Sequence, residues 1–428
     1  MALNLKLAYG KQGVSVALPD GFEYTVLEAK AAAPLANADV AIGDALDRPI
    51  GQLPLYELAR GKRSAAISVC DITRPAPNRV VLPHVLARLE RAGIERANIV
   101  ILIATGLHRA ATDSEIREIV GAEIASEYRV ENHDARDLAS HRYLGVTASG
   151  TPAWVDERFV AADLRMSLGF IEPHLMAGFS GGRKLVTPGL AAQETIKVIH
   201  SPRFMREPAA VEGSIARNPL HRELVELASM AGHQFMVDVA LARDRSIAGV
   251  FAGDPVEAHR KGVAFVSEAL LQKVERPVDA VITTGAGYPL DLTYYQCIKG
   301  VTAASHIVRE GGRILVAGAC SEGCGGPEFS EMLGWHADPQ SFLAALDGAP
   351  VTVDQWQLEK LALVAMRAEI LYCVPGLAPA LRAQLWGSSF DDPQQAVDAL
   401  LAGLPSGSKV AIIPEGPYVL AKVSGAVS

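Results

Sequence analysis

Five cysteines in 428 residues, no long apolar run and no surplus of positive charge each remove a class of protein. Cys70, Cys297, Cys320, Cys324 and Cys373 include no CxxC pair. An odd, sparse set in a chain this long fits reduced thiols in a cytoplasm rather than a disulfide framework. No segment reaches the roughly 20 consecutive apolar residues of a membrane span, and Ile99–Ala104 has the length of a buried strand. The opening MALNLKLAYGKQG alternates as a strand does and lacks the apolar centre of a signal peptide. Forty Lys and Arg against 48 Asp and Glu leave a net charge of −8, which argues against a broad nucleic-acid footprint. The expected protein is soluble and cytoplasmic, with neither nucleic acid nor membrane as partner.

What is present reads as a globular α/β protein. Hydrophobic residues make up 49% and charged residues 21%, and the length calls for two domains. Leu3–Leu7 and Val14–Leu18 alternate across a turn, as in a hairpin. The strand-like Ala65–Val69 and Ile99–Ala104 each run into a polar motif, Asp71-Ile72-Thr73-Arg74-Pro75 and Thr105-Gly106-Leu107-His108-Arg109. Leu164–Ile171 does the same. Helical patterns between them predict a mostly parallel, doubly wound sheet, whose strand ends are where ligands bind. No GxGxxG follows the first strand, so a standard dinucleotide site is not expected. After Glu275-Arg276-Pro277 a second alternation begins at Val278–Thr283, with Gln296–Val308 as its first helix and Val410–Ile413 as a closing strand.

The richest stretch is Phe170–Ser201, which crowds Glu172, His174, Lys184 and His200 around Ser180-Gly181-Gly182. The glycines allow close approach of a ligand and offer N–H donors to an anion. Lys184 can serve as a cation or as an amine nucleophile. Arg74 suits a carboxylate held by two parallel hydrogen bonds, with a salt bridge to Asp71 as the alternative. Gln296 and Lys299, three apart, share a helix face and can grip the same small anion. His108, His174 and His200 can bind metal or move protons, but their spacing matches no zinc signature such as HExxH. Cys320 and Cys324 lack companions at ligand spacing.

In this order the motifs resemble the nickel-dependent lactate racemases and related 2-hydroxyacid racemases. The resemblance rests on Asp71–Pro75, Thr105–His108, Glu172-Pro173-His174, Gly178–Lys184 and His200-Ser201-Pro202. It continues through Gly287-Tyr288-Pro289, Tyr295-Gln296 with Lys299, Glu322–Gly325 and Asp354-Gln355-Trp356-Gln357. It implies an isomerase whose larger N-terminal domain spans 1–272 and regains the tail 403–428. A smaller α/β domain would span 277–400, with the active site in the cleft. It also implies a nickel pincer nucleotide (Ni-pyridinium-3,5-bisthiocarboxylic acid mononucleotide) tethered covalently at Lys184, with His200 as the protein ligand to nickel. His108 and His174 would be the acid/base pair. Arg74, Gln296 and Lys299 would contact the substrate carboxylate, with Asp71 and Trp356 lining the site. Separate cofactor-biosynthesis enzymes would load the protein.

Elementary chemistry agrees. Taking the C2 hydrogen of a 2-hydroxyacid as a proton piles negative charge beside a carboxylate, whereas taking it as a hydride leaves a neutral ketone. A histidine near ~6.5 facing an alcohol near ~15.7 is roughly 12 kcal/mol short of full deprotonation, so proton and hydride should leave together. A base for either enantiomer gives two histidines a purpose. One departure touches the substrate: the family commonly carries Asn two residues after the Asp before Tyr-Gln, and here Asp291 is followed by Thr293. Lactate, malate, a longer aliphatic or aromatic 2-hydroxyacid and a sugar acid therefore stay open. Two other classes compete: a divalent-metal lyase or hydrolase built on the three histidines, and a carrier that binds cofactor or organic anion without turnover.

Overall fold

Short apolar runs bounded by turn-forming residues become the buried strands of two six-stranded sheets. The computed structural model describes residues 3–30 and 32–425. Met1 and Ala2 of the expected first strand, and 426–428 of the tail, lie outside the described residues.

In the first sheet, Ala65–Cys70, Ile99–Ala104, Arg129–Asn132, Leu164–Phe170 and Phe235–Leu241 run parallel, and Ile247–Gly253 adds an antiparallel edge. Ala65–Cys70 is buried at every position, as expected of a parallel strand covered on both faces. Alternate side chains divide the two faces. Ile67, Val69, Ile101 and Ile103 pack with Leu82, Val85 and Leu89 of the helix Asn78–Arg91. Ala66, Val100 and Leu102 pack with Val155, Phe159 and Val186. A capping box is present: Thr112 and Glu115 bond reciprocally at the start of the helix Asp113–Val120. Ala65–Cys70 lies between Ile99–Ala104 and Leu164–Phe170, so the winding reverses there. This is the switch point at which strand ends diverge and leave room for a ligand.

The second sheet is wholly parallel. Val278–Thr284 lies between Val308–Ala317 and Lys409–Ile413, with Glu369–Cys373 and Ser388–Phe390 beyond the first and Glu23–Val26 beyond the second. The helix Tyr294–Ser305 follows Val278–Thr284.

The chain forms two compact units, and their membership corrects the division expected from the sequence. One unit holds Met1–Lys30, His200–Arg217 and Leu270–Ser428; the other holds Ala31–Ile199 and Asn218–Ala269. The tail does not return to the larger N-terminal domain. Lys409–Ile413 completes the second sheet, and Leu420–Val423 pairs with Leu271–Val274, before the supposed linker at 275–277. Nor does the segment after His200 stay with the first sheet. Arg206 bonds Glu359 at 2.7 Å, Lys360 donates to Ala210 O at 2.8 Å, and Glu212 takes Thr302 at 2.7 Å and His306 at 2.9 Å. Glu359, Lys360 and Glu212 are buried, so each needs its partner, and together they fasten the segment to the second unit.

Candidate active site

At the end of Ala65–Cys70 the chain turns, with the Arg74 amide donating to Asp71 O at 3.2 Å. The Asp71 carboxylate is buried and fully engaged: Oδ1 accepts from Thr73 Oγ1 at 2.6 Å, and Oδ2 lies 2.7 Å from His108 Nδ1. Burial alone would raise this carboxyl, but the His108 and Thr73 hydrogen bonds and the nearby Arg74 charge bring it below its ordinary value. It is therefore an anion at neutral pH. An anion at Nδ1 makes that nitrogen the donor and leaves Nε2 of a neutral His108 as the acceptor. The ring is half-exposed, on a turn where Gly106 has φ +54° and the His108 amide donates to Thr105 O. The alternative Asp71–Arg74 salt bridge is not what the carboxylate does. The half-buried Arg74 guanidinium makes no hydrogen bond or ion pair among the described residues.

Beyond Leu164–Phe170, Pro173–His174 folds back on Gly178–Phe179 as a two-residue ladder. Ser180 closes the loop, donating to Phe170 O at 2.8 Å and accepting from the Glu172 amide at 2.9 Å. His174 Nδ1 accepts from the amides of Met176 (3.4 Å) and Ala177 (3.2 Å), so a neutral ring carries its proton on Nε2. The two rings are thus held differently at Nδ1, that of His108 by a carboxylate and that of His174 by two amides.

The Gly181-Gly182 turn leads into the short helix Arg183–Val186, which carries the half-buried Lys184. The turn was expected to offer its amides to an outside anion. Instead, an internal carboxylate, Asp238, lies against it: a methyl on Gly181 would sit 2.1 Å from Asp238 Oδ2. Asp238, Arg183 and His259, all buried around this turn, escaped the sequence reading. The available signal was a lone Asp inside the apolar strand FMVDVAL.

On the other unit, the His200 ring packs against Trp356 with centroids 4.5 Å apart. Trp356 Nε1 donates to Tyr295 Oη at 3.3 Å, and Gln357 fixes the Tyr295 carbonyl at 2.8 Å. Next along the helix, Gln296 Oε1 is buried with no hydrogen-bond partner among the described residues, and Lys299 follows one turn on. Asp291 serves the fold, accepting from the amides of Gly10 (2.7 Å) and Ala319 (3.0 Å). Asp71, Arg74, His108, His174 and Lys184 therefore belong to one unit, and His200, Gln296, Lys299 and Trp356 to the other. Among the described residues no three His, Cys, Asp or Glu side chains are grouped to hold a metal ion.

Comparison with known proteins bears on the same residues. Residues 9–213 match the model of the lactate racemase N-terminal domain, and residues 273–421 that of the lactate racemase C-terminal domain. A lactate racemase of Thermoanaerobacterium thermosaccharolyticum is 33% identical over 424 residues, covering 98% of this chain and 99% of that protein. One of Lactiplantibacillus plantarum is 36% identical over 380 residues, covering 88% and 89%. The solved structure of the lactate racemase apoprotein from T. thermosaccharolyticum superposes with a TM-score of 0.92 at 32% identity, over 98% of this chain and 100% of that one. A Thermotoga maritima protein, 16% identical with a TM-score of 0.69, shares the fold.

Proposed function

The chain belongs to the lactate racemase family, and we propose from that premise that it inverts C2 of a small 2-hydroxyacid, with lactate the first candidate. The observation that supports this reading is the different support of the two rings at Nδ1, a carboxylate behind His108 and two backbone amides behind His174.

His108 Nε2 receives the hydroxyl proton of one enantiomer as the C2 hydrogen departs. The imidazolium so formed is paired with Asp71, which stays ionised and keeps the ring oriented. His174 serves the opposite enantiomer. It holds the hydroxyl or carbonyl oxygen through Nε2–H, and it becomes a base only when Nδ1 leaves its two long amide contacts and takes the proton. Arg74, with open donors, grips the substrate carboxylate, and Gln296 and Lys299 complete the grip. The held carboxylate is the pivot on which the ketoacid turns before the hydrogen returns.

A nickel pincer nucleotide, when bound, supplies the acceptor for the C2 hydride. The donor set fits such a group: it brings its own sulfur and carbon ligands and asks the protein for one imidazole, and the His200 ring, packed against Trp356, can be that donor. His200 would be that imidazole and Lys184 the covalent tether. Loading would fall to separate cofactor-assembly enzymes. A reducing cytoplasm is supported by five free, buried cysteines. No helix among the described residues is long and apolar enough to cross a membrane.

The test is intact mass and nickel content of protein co-expressed with cofactor-assembly enzymes, beside Lys184→Ala, followed by a chiral assay over a panel of 2-hydroxyacids. Added mass and nickel that vanish in the variant, with racemisation of one acid, support the reading. An unmodified chain from a host that loads a known family member sinks it.

A further inference from the structure

Asp238 is a carboxylate placed where it weakens the fold. It stands in the strand Phe235–Leu241, directly opposite Gly169 in the parallel register, and is fully buried. Neither of its oxygens has a hydrogen-bond partner among the described residues; the amides of Gly182 and Gly169 face it without closing a full bond. Burial with so little compensation pushes the group up to about 7. A carboxyl that titrates near ~3.9 when unfolded and so much higher when folded lowers stability at neutral pH. A buried, unsatisfied polar group calls for a purpose other than stability.

Its surroundings say which purpose. A methyl on Gly181, where φ is +80°, would lie 2.1 Å from Oδ2, and one on Gly169 would lie 3.1 Å from Oδ1. The same turn is enclosed by the buried Arg183 guanidinium, which donates to the carbonyls of Ala177 and Phe179, both at 2.9 Å, and by His259, whose Nε2 lies 2.6 Å from Arg183 and 2.8 Å from Ser180 O. From this turn the backbone passes directly to Lys184, whose amide donates to Gly181 O at 3.1 Å; the Leu185 amide donates to Gly182 O at 3.0 Å.

We infer that Asp238 is a positioning residue that acts through the Gly181–Gly182 turn to set the backbone presenting the Lys184 amine. The inference rests on the tethering role proposed for Lys184. It explains the absence of a side chain at 181 by an internal carboxylate rather than by a ligand, whereas at 169 Leu185 Cδ1 would be the nearer obstacle at 2.6 Å. Around neutral pH Asp238 is the group in this cluster that changes charge. Burial raises the Cys70 thiol beyond that range and holds His259 and His221 well below it. Arg183, lowered by its own burial to about 9, stays cationic.

The test uses the apoprotein, made without cofactor-assembly enzymes, and hydrogen exchange read by mass spectrometry from about pH 5.5 to about pH 8.5. In wild type, protection of peptides covering 178–190, corrected for intrinsic rate, is expected to fall about fivefold in a step that ends near pH 7 and to stay level above it. Asp238→Asn and Asp238→Ala lose the step while other peptides of the unit keep their protection. A flat wild-type profile overturns the inference, as does a change spread evenly over the unit in the variants. If neither variant folds, the wild-type profile alone decides. With cofactor-assembly enzymes present, Asp238→Asn is expected to lower the fraction of chains modified at Lys184 about fivefold. Equal loading of wild type and variant overturns the inference. A wild type that never gains mass overturns the role of Lys184 instead and leaves the exchange result standing as the measure of the turn.

Discussion

Oδ2 of Asp71 lies 2.7 Å from Nδ1 of His108, and this contact decides which nitrogen of the ring faces the substrate. Asp71→Asn, able to present an N–H to Nδ1, would favour the wrong tautomer and remove the counter-charge of the imidazolium. Turnover is expected to fall by about a hundredfold to ten-thousandfold with little change in fold, measured by chiral assay and circular dichroism. The folded carboxyl lies below its ordinary value, so its contribution to stability is fully present above ~3.9 and fades as pH falls through the folded value. An acid melt of wild type that lags the variant's only above that window would contradict the assignment.

Arg74 keeps its guanidinium open among the described residues. Replacing it by lysine preserves charge and loses the two-pronged grip. Arg74→Lys should raise KM by about tenfold or more with a smaller change in kcat, in steady-state assays of either enantiomer. A change confined to kcat would place Arg74 elsewhere.

The fastening of the His200 segment depends on Glu359, which is fully buried and leaves one oxygen unpaired even in the wild type. Its own carboxyl is raised because burial outweighs the pairing with Arg206, while Arg206, less buried, is raised by its two carboxylate partners. Arg206→Met would strand that carboxylate, at about 3 kcal/mol in urea unfolding. Because the segment carries His200, nickel content of loaded protein should drop as well. Unaltered stability would mean the carboxyl simply takes up a proton.

Asp238→Asn is expected to stabilise. The folded carboxyl titrates near 7, above its unfolded value, so the wild type loses stability as pH rises from about 4 to about 7 and stays at that lower level beyond. The full effect is on the order of 4 kcal/mol, offset by about 1–3 kcal/mol for burying an unpaired amide. Melting temperatures should therefore favour the variant above neutrality, and the order should reverse near pH 4, where only the cost of the unpaired amide remains. A variant less stable at pH 8 would show the carboxylate to be a stabilising element.

The strand ends that carry Asp71, His108 and His174 were legible because apolar runs stop abruptly at polar motifs. Elements lacking that contrast were not. Arg129–Asn132 is largely polar, Glu23–Val26 is a short edge, and glycines interrupt Ile247–Gly253. Ala38–Asp47 begins at an Asn37 cap after an Ala- and Pro-rich stretch with no clear apolar period. Within the site, His108 and Asp71 were each singled out, but their pairing spans 37 residues and the sequence offered Arg74 as a rival partner. The transfer of His200–Arg217 to the second unit was less visible still, since its ties to Thr302 and Glu359 span 90 and 153 residues. Tautomers, which follow from hydrogen-bond partners, have no sequence signature.

The unequal footing of His108 and His174 has a thermodynamic consequence. Mirror-image acids have equal free energies, so their interconversion has an equilibrium constant of one. The ratio kcat/KM must then be the same for both enantiomers, however differently the two imidazoles are supported. A carboxylate behind one ring and two amides behind the other therefore cannot make this protein favour one hand. They redistribute the difference, so that the enantiomer turned over faster at saturation is the one with the larger KM, by the same factor.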